Sequence, residues 1–442
     1  MSVQPQVGTA PSALDAWRTA VEDGYRARTD GSRRLFEQGR ASLPGGDTRY
    51  SVTHRPHPLY FARGRGASVW DVDGNEYLDL NNNATALIHG HAHPAIVRAV
   101  QDQAALGTAW GAHNVHEIGW ARTLCERVPS LERVRFTNSG TEATMHMVKV
   151  ARAATGRELI LKFDRAYHGT WDGLELQRDD REALVPSTGG VPGHVADGLL
   201  VGPWGDIEAA RRMIEAHAPR LAGVILTPLW SADRFLEPPA GYLAELRELT
   251  AAHGVLLLFD EIISFRLGRG GAQERYGVVP DMTALGKVVG GGLPVGAFGG
   301  REDVMSVTDP LGDLRVTLAG TFNANPVTAA AGVAALELLT PEAYDGLDRL
   351  GDQLRSGLRR SVAAAGLPLE VGGAASLVSL AWTGTAGSPA ELMASLKLGF
   401  ANAGVWGFPI FGVSTVMSAS DVEATLSVAD GVFGRLASAL RA

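Results

Sequence analysis

Lysine and cysteine are the scarce residues of this 442-residue chain. There is one cysteine, Cys125, so no internal disulfide can form. A lone thiol fits a reducing cytoplasm, and beside Leu124 it reads as a partly buried core residue. An excess of basic charge is also missing. The formal net charge is -8, which argues against nucleic acid and against an anionic membrane surface as partners. No apolar run approaches the ~18 residues of a membrane span. The N-terminal stretch "MSVQPQVGTAPSALDAW" has neither a basic start nor an apolar segment, so it does not read as a secretory signal. Lysine occurs only at 149, 162, 287 and 397, against 36 arginines. Where the basic surface is built from arginine, each lysine marks a place where an amine itself is wanted.

What is present is an ordinary globular composition, 45% hydrophobic and 20% charged, with length for two or three domains. Residues 1 to about 12 read as disordered, followed by helical stretches at Leu14–Arg28 and Ser32–Ala41. "LYFARGRGASVWDVDGNEYLDL" predicts short strands joined by a turn at Asp73-Gly74. Its "DVDGNE" lacks the acidic spacing and distant Glu of a calcium loop. From about residue 95 to 330, helical periods alternate with short apolar runs: "ERVRFTN", "RELILKF", "DGLLVGP", "LAGVILTP" and "GVLLLFDE". That alternation predicts an α/β fold whose large domain has a mostly parallel buried sheet. The division expected is 1–80 in a smaller α+β domain, 81–330 as the large domain, and 331–442 returning to the smaller one.

Ligands of open parallel sheets bind beyond the carboxyl ends of the strands. "RFTNSGTEA" ends in Ser139, Gly140 and Thr141 and opens into a helix, where free amides and the dipole attract an anion such as phosphate, or where Ser139 is a plain cap. "LLLFDE" ends in Asp260, a buried carboxylate that needs a partner: a protonated ring nitrogen, a helix cap or an ion pair. "KFDRAYHG" ends near Tyr167 and His168, and Tyr167 offers a flat face for stacking. The twenty residues "DMTALGKVVGGGLPVGAFGG" (281–300) hold seven glycines and a single lysine, Lys287. They read as a flexible glycine-rich loop presenting either a solvated cation or an amine for Schiff-base chemistry. A nucleotide-binding P-loop is rejected, because Asp281 and Val288 stand where Gly and Ser/Thr are required. "HGHAHP" (89–94) lacks carboxylate or thiolate partners at ligand spacing, so no metal is expected.

Together these segments resemble the class III pyridoxal-phosphate-dependent aminotransferases of fold type I. The similarity is to the branch of glutamate-1-semialdehyde 2,1-aminomutases and β-amino-acid aminotransferases. It covers roughly 43–336 and rests on "LPGGDTR", "WDVDGNEYLDL", "GHAHPAI", "RFTNSGTEATM", "KFDRAYHG", "FDEI", "GGAQERYGVVPDMTALGKVVGGGLPVGAFGGREDVM" and "GTFNANPVTAAAG". The resemblance implies pyridoxal 5'-phosphate as cofactor, held by Lys287 as an internal aldimine, with Lys287 later shuttling the proton. Asp260 would pair with the pyridinium nitrogen. Ser139, Gly140 and Thr141 would bind the phosphate. Tyr167 would stack on the ring, with His168 beside it. Thr321 would reach the phosphate of the neighbouring subunit, which implies a homodimer with shared sites. Arg49 falls where related enzymes hold a substrate carboxylate, a task suited to a guanidinium.

The departures bear on substrate. The family's strand-end Glu-Pro is Thr227-Pro228 here, and Trp230 fills a place that is usually smaller or polar. The C-terminal arginine that this Glu often neutralises has no counterpart in "GVWGFPIFGVSTVMSASDVE". Both partners are absent together, as expected when losing one alone would strand a charge. The stretch "IISFRLGRGGAQ" is one residue shorter than the commoner form, similar to the β-amino-acid enzymes. Trp230 and Trp110 are candidate pocket residues. The expected activity is amino transfer between an amino acid, α, β or unusual, and a keto acid. The alternatives are an isomerase, either aminomutase or epimerase, and a protein that holds the cofactor without turnover.

Overall fold

The computed structural model describes residues 12–232, 234–312, 314–385 and 388–442. The N-terminal stretch expected to be disordered falls almost wholly outside these. Seven strands form the central sheet: β1 (Arg133–Thr137), β2 (Leu159–Phe163), β3 (Leu199–Gly202), β4 (Leu221–Leu226), β5 (Leu256–Asp260), β6 (Met282–Gly286) and β7 (Gly296–Gly300). Their spatial order is β1-β7-β6-β5-β4-β2-β3. From β6 through β5, β4 and β2 to β3 the pairing is parallel, while β7 runs antiparallel to both β6 and β1.

Alternation along the strands explains why helices cover both faces. In β5, Leu256 and Leu258 join one buried cluster with Ala143, Met147 and Val150 of the helix Gly140–Thr155. Leu257 and Phe259 join a second cluster with Leu243 and Leu246 of the helix Tyr242–Ala252. Each such side chain contributes roughly 1.5–3 kcal/mol by leaving water. A strand buried on both faces has no polar alternation to show, hence its continuous apolar run.

The five apolar runs are the strands β1 to β5. The glycine-rich stretch departs from its expectation of a flexible loop. It is a strand, a tight 3-10 turn at Lys287–Gly290, and a second strand. Glycine is a poor strand former, so composition hid β7. Close packing demands it there: a Cβ on Gly296 would lie 2.0 Å from the Ser139 carbonyl oxygen, and one on Gly299 would lie 2.1 Å from that of Arg133.

The two chain ends meet. Strands Phe61–Arg65, Ser68–Asp71 and Glu76–Asp79 form one sheet with Val405–Trp406, which pairs in parallel with Glu76–Asp79. The expected turn at Asp73-Gly74 lies between two of these strands, with Gly74 at φ 87. A further sheet is built from Leu369–Gly372, Leu377–Trp382 and Ile410–Gly412. Arg266, fully buried, ties these ends to the large sheet. Its guanidinium donates to Ser376 Oγ at 2.9 Å, to the Thr85 carbonyl at 2.9 Å and to the Val413 carbonyl. Burial without a carboxylate partner brings its pKa down to about 10. No helix among the described residues is long and apolar enough to cross a membrane. Cys125 is half-buried against the core, and burial pushes its thiol up.

Candidate active site

The carboxyl ends of β1, β5 and β6 and the start of β7 lie on one edge, since Gly296 is in register with both Thr137 and Gly286. At that edge is a cavity of about 210 Å³, lined among others by Gly140, Thr141, Tyr167, Thr227, Asp260 and Lys287.

Each residue is held there by its own chemistry. Ser139 caps the helix Gly140–Thr155, its hydroxyl accepting from the Glu142 amide at 3.2 Å. The cavity therefore sits on a helix N-terminus, where the dipole favours an anion. Glycine at 140 lets the Ile262 side chain approach, since a Cβ there would lie 2.6 Å from Ile262 Cδ1 and push that side chain aside. Thr141 Oγ1 accepts from the Thr170 amide at 3.2 Å. Asp260 is buried, and its Oδ1 accepts from the Ile262 amide at 3.1 Å. Its Oδ2 lies 2.8 Å from Nδ1 of His168. Burial lowers the His168 pKa, against the opposing pull of Asp260, so the ring is neutral and its Nδ1–H donates to the carboxylate. The other ring nitrogen, Nε2, is buried without a partner among the described residues, as is Thr227 Oγ1.

Lys287 stands in the left-handed region at φ 50, a strained conformation for a side chain of its size. Burial lowers its amine pKa, partly offset by Asp260. The amine is thereby shifted toward the nucleophilic free base. Tyr167 is 63% exposed, with its ring on the cavity wall. Ile262 lines the same cavity and was not anticipated from sequence. The signal was available in "FDEI": two residues after Asp260, its side chain leaves the strand end near the same place.

A second cavity of about 560 Å³ shares Lys287 and Ile263 with the first. Arg49 lines it, and its Nη1 donates to Asn83 Oδ1 at 3.0 Å. Its other walls mix polar side chains with the rings of Phe61, Phe235, Trp406 and Phe408. Asn83, Ala84 and Thr85 also line it, within a run of positive φ from Asn82 to Thr85 (49, 50, 53 and 72°). Sequence reasoning passed over this run. "NNNAT" carried the signal, since asparagine tolerates the left-handed region best after glycine.

Two predicted pocket residues are not among those lining either cavity. Trp230 lines a separate cavity and packs on Trp204, ring centroids 5.3 Å apart. The residue after it, Ser231, and then Phe235 reach the substrate-side cavity instead. Trp110 is 44% exposed and lies against Gly107. Thr321 is exposed, next to Phe322. In "HGHAHP", His91 Nε2 is 2.6 Å from Asp79 Oδ2, and His89 Nε2 is 2.8 Å from the Ala335 carbonyl.

A phosphate-ready helix terminus, a buried carboxylate and a half-buried strained lysine, gathered at one sheet edge, define an enzyme of pyridoxal-phosphate type. The chain belongs to the class III aminotransferases: the Aminotransferase class-III family matches residues 49–407. Enzymes of this family depend on pyridoxal 5'-phosphate. The chain is 40% identical over 361 residues to a glutamate-1-semialdehyde 2,1-aminomutase 2 of Brevibacillus brevis, covering 80% of this chain and 84% of the relative. It is similar to the crystal structure of an ω-transaminase from Sphaerobacter thermophilus, with 42% identity, a TM-score of 0.87, and coverage of 93% and 99%. It also resembles a β-phenylalanine aminotransferase from Variovorax paradoxus, with 33% identity, a TM-score of 0.87, and coverage of 95% and 97%.

The residues present fit the cofactor. Thr227 Oγ1, buried and without a partner among the described residues, lines the cavity together with the helix N-terminus at Gly140 and Thr141 and with Lys287, and His168, whose Nε2 is likewise unpartnered, meets the cavity through Asp260. An apolar packing role alone would leave all of these groups unused.

Proposed function

We propose that this chain is an aminotransferase that moves an amino group from a β- or other amino acid to a keto acid. The observation that carries this reading is the substrate-side cavity. It holds about 560 Å³, with Arg49 at one place and a lining elsewhere in which polar side chains alternate with the rings of Phe61, Phe235, Trp406 and Phe408. That suits a substrate with one carboxylate and a bulky apolar group. A short semialdehyde needs neither the space nor the aromatic walls.

When bound, pyridoxal 5'-phosphate supplies an electron sink for the charge left on a carbon that loses its proton. The first-turn amides at Gly140 and Thr141 would take the phosphate, and Thr321 of a neighbouring subunit would add to it in a homodimer. Tyr167 and Ile262 would flank the ring. Asp260, oriented by His168 and the Ile262 amide, would hold the ring nitrogen in its protonated form. Lys287 would carry the cofactor through its amine. Once displaced by the incoming amino group, it would take the proton from the carbon and return it elsewhere. Arg49 would clamp the carboxylate and so aim the scissile C–H bond. The lone reduced thiol supports a cytoplasmic setting.

A second reading, an aminomutase, is favoured by the names of the curated relatives. The two separate in one experiment. The holoenzyme is mixed with single α- or β-amino acids without any keto acid, and its visible spectrum is followed. Amino transfer predicts a lasting loss of the cofactor's visible band and one keto product released per site. A band that persists or recovers while the amino acid isomerises would replace this reading with an isomerase.

A further inference from the structure

The substrate-side cavity contains a cation that the reading above does not use. Lys397, on the helix Pro389–Asn402, lines it together with Arg49 and Lys287. Its Nζ lies 5.0 Å from the centroid of the Trp406 ring. Among the described residues no carboxylate pairs with it, and burial alone lowers its pKa. His54 is close enough to feel its charge, but desolvation of its half-buried ring lowers its own pKa to about 3 and holds it neutral. The one acidic residue of the described lining, Asp79, is already engaged. Its Oδ2 faces His91, and its Oδ1 accepts the amides of Asn81 and Asn82. Arg49 likewise has only the neutral Asn83 side chain. Among the described residues, neither the Arg49 guanidinium nor the Lys397 amine is paired with a carboxylate. Arg49 is exposed but Lys397 is half-buried; a half-buried unpaired cation is costly, and a ligand carboxylate would relieve that cost.

We propose that Lys397 is a second carboxylate-binding group, so that the amino acceptor is a dicarboxylic 2-oxo acid held between Arg49 and Lys397. This deepens the aminotransferase reading, on which the word acceptor rests. The stretch 404–423 holds no lysine or arginine. Lys397 lies seven residues before that window, and the fold carries it in over the Trp406 ring. A monocarboxylate donor would use Arg49 and leave Lys397 against the aromatic face, where an ammonium is tolerated. Both substrates then fit without moving an arginine.

The test is equilibrium binding to the holoenzyme by titration calorimetry, with glutarate and butyrate as unreactive di- and monocarboxylate probes. The wild type should bind glutarate more tightly than butyrate. Lys397→Met should weaken glutarate roughly 10- to 100-fold, the range for losing one charge-assisted contact. Butyrate should change less than about twofold. Lys397→Arg should keep most of the glutarate affinity, which guards against a Met variant that folds poorly. Equal binding of both probes by the wild type, unchanged glutarate binding by Lys397→Met, or equal loss of both probes would each overturn the proposal. No amino transfer enters the measurement, so its failure and that of the aminotransferase reading are separable.

Discussion

Two cavities meet at Lys287, and they are built in opposite ways. The inner one, about 210 Å³, is made where strands of one sheet end, within residues 140–295. The outer one, about 560 Å³, gathers residues 49–91, 231–263 and 397–410 around the same lysine. In the inner cavity, position along a strand dictates which residue faces the ligand, and each polar group has a distinct task. In the outer cavity, no single element dictates anything, and the wall depends on how the two chain ends close over the sheet. On the proposed reading, common chemistry belongs to the sheet-edge cavity and selectivity to the one assembled from both ends.

The largest effect should come from Lys287, the lysine that both cavities share. Lys287→Ala should remove activity to background and abolish covalent attachment of pyridoxal phosphate. The check is borohydride reduction followed by mass spectrometry of the labelled peptide. In the parent, the label should sit on Lys287. Lys162 is no substitute, because its Nζ already donates to the Leu174 and Leu176 carbonyls at 2.7 and 3.1 Å. Label found on Lys397 in the parent would move the chemistry into the outer cavity and erase the distinction between the two.

An intermediate effect should come from the outer wall alone. Arg49→Gln should raise KM for a carboxylate-bearing donor by roughly 10- to 100-fold, with a smaller change in kcat. The cofactor's visible band should stay as it is, because Arg49 lines only the outer cavity. A variant that instead lost the band would show that Arg49 supports the inner site.

The same division explains what could be read from sequence. Strands β1 to β5 were legible because burial on both faces leaves continuous apolar runs, and Asp260 was legible because a carboxylate ends such a run. Strands β6 and β7 were not, since the glycines that let β7 approach Ser139 and Arg133 look like a loop. Within the outer cavity, Arg49 was reached only through resemblance. Lys397 and the left-handed run at Asn82–Thr85 were missed. Their roles come from contacts across more than three hundred residues, such as Asn82 Nδ2 to the Gly412 carbonyl at 2.5 Å. Hydrophobic period carries no information about such closures.

The smallest effect tests where the outer wall stops. From sequence, Trp230 is a candidate pocket residue because it follows the strand end Thr227-Pro228. Its backbone pairs with Leu236, N–H to carbonyl at 2.9 Å and 3.0 Å in the two directions. That narrow bridge turns the chain between them, so that Ser231 and Phe235 line the outer cavity while the Trp230 ring packs on Trp204. Trp230→Phe should therefore change kcat/KM less than about twofold, while costing about 1 kcal/mol of stability through the weakened aromatic pair. A thermal melt of the holoenzyme beside its steady-state kinetics measures both. If kcat/KM fell tenfold with cofactor binding intact, the indole would have to reach substrate. The outer cavity would then extend past the Trp230–Leu236 bridge into the space now bounded by Trp204.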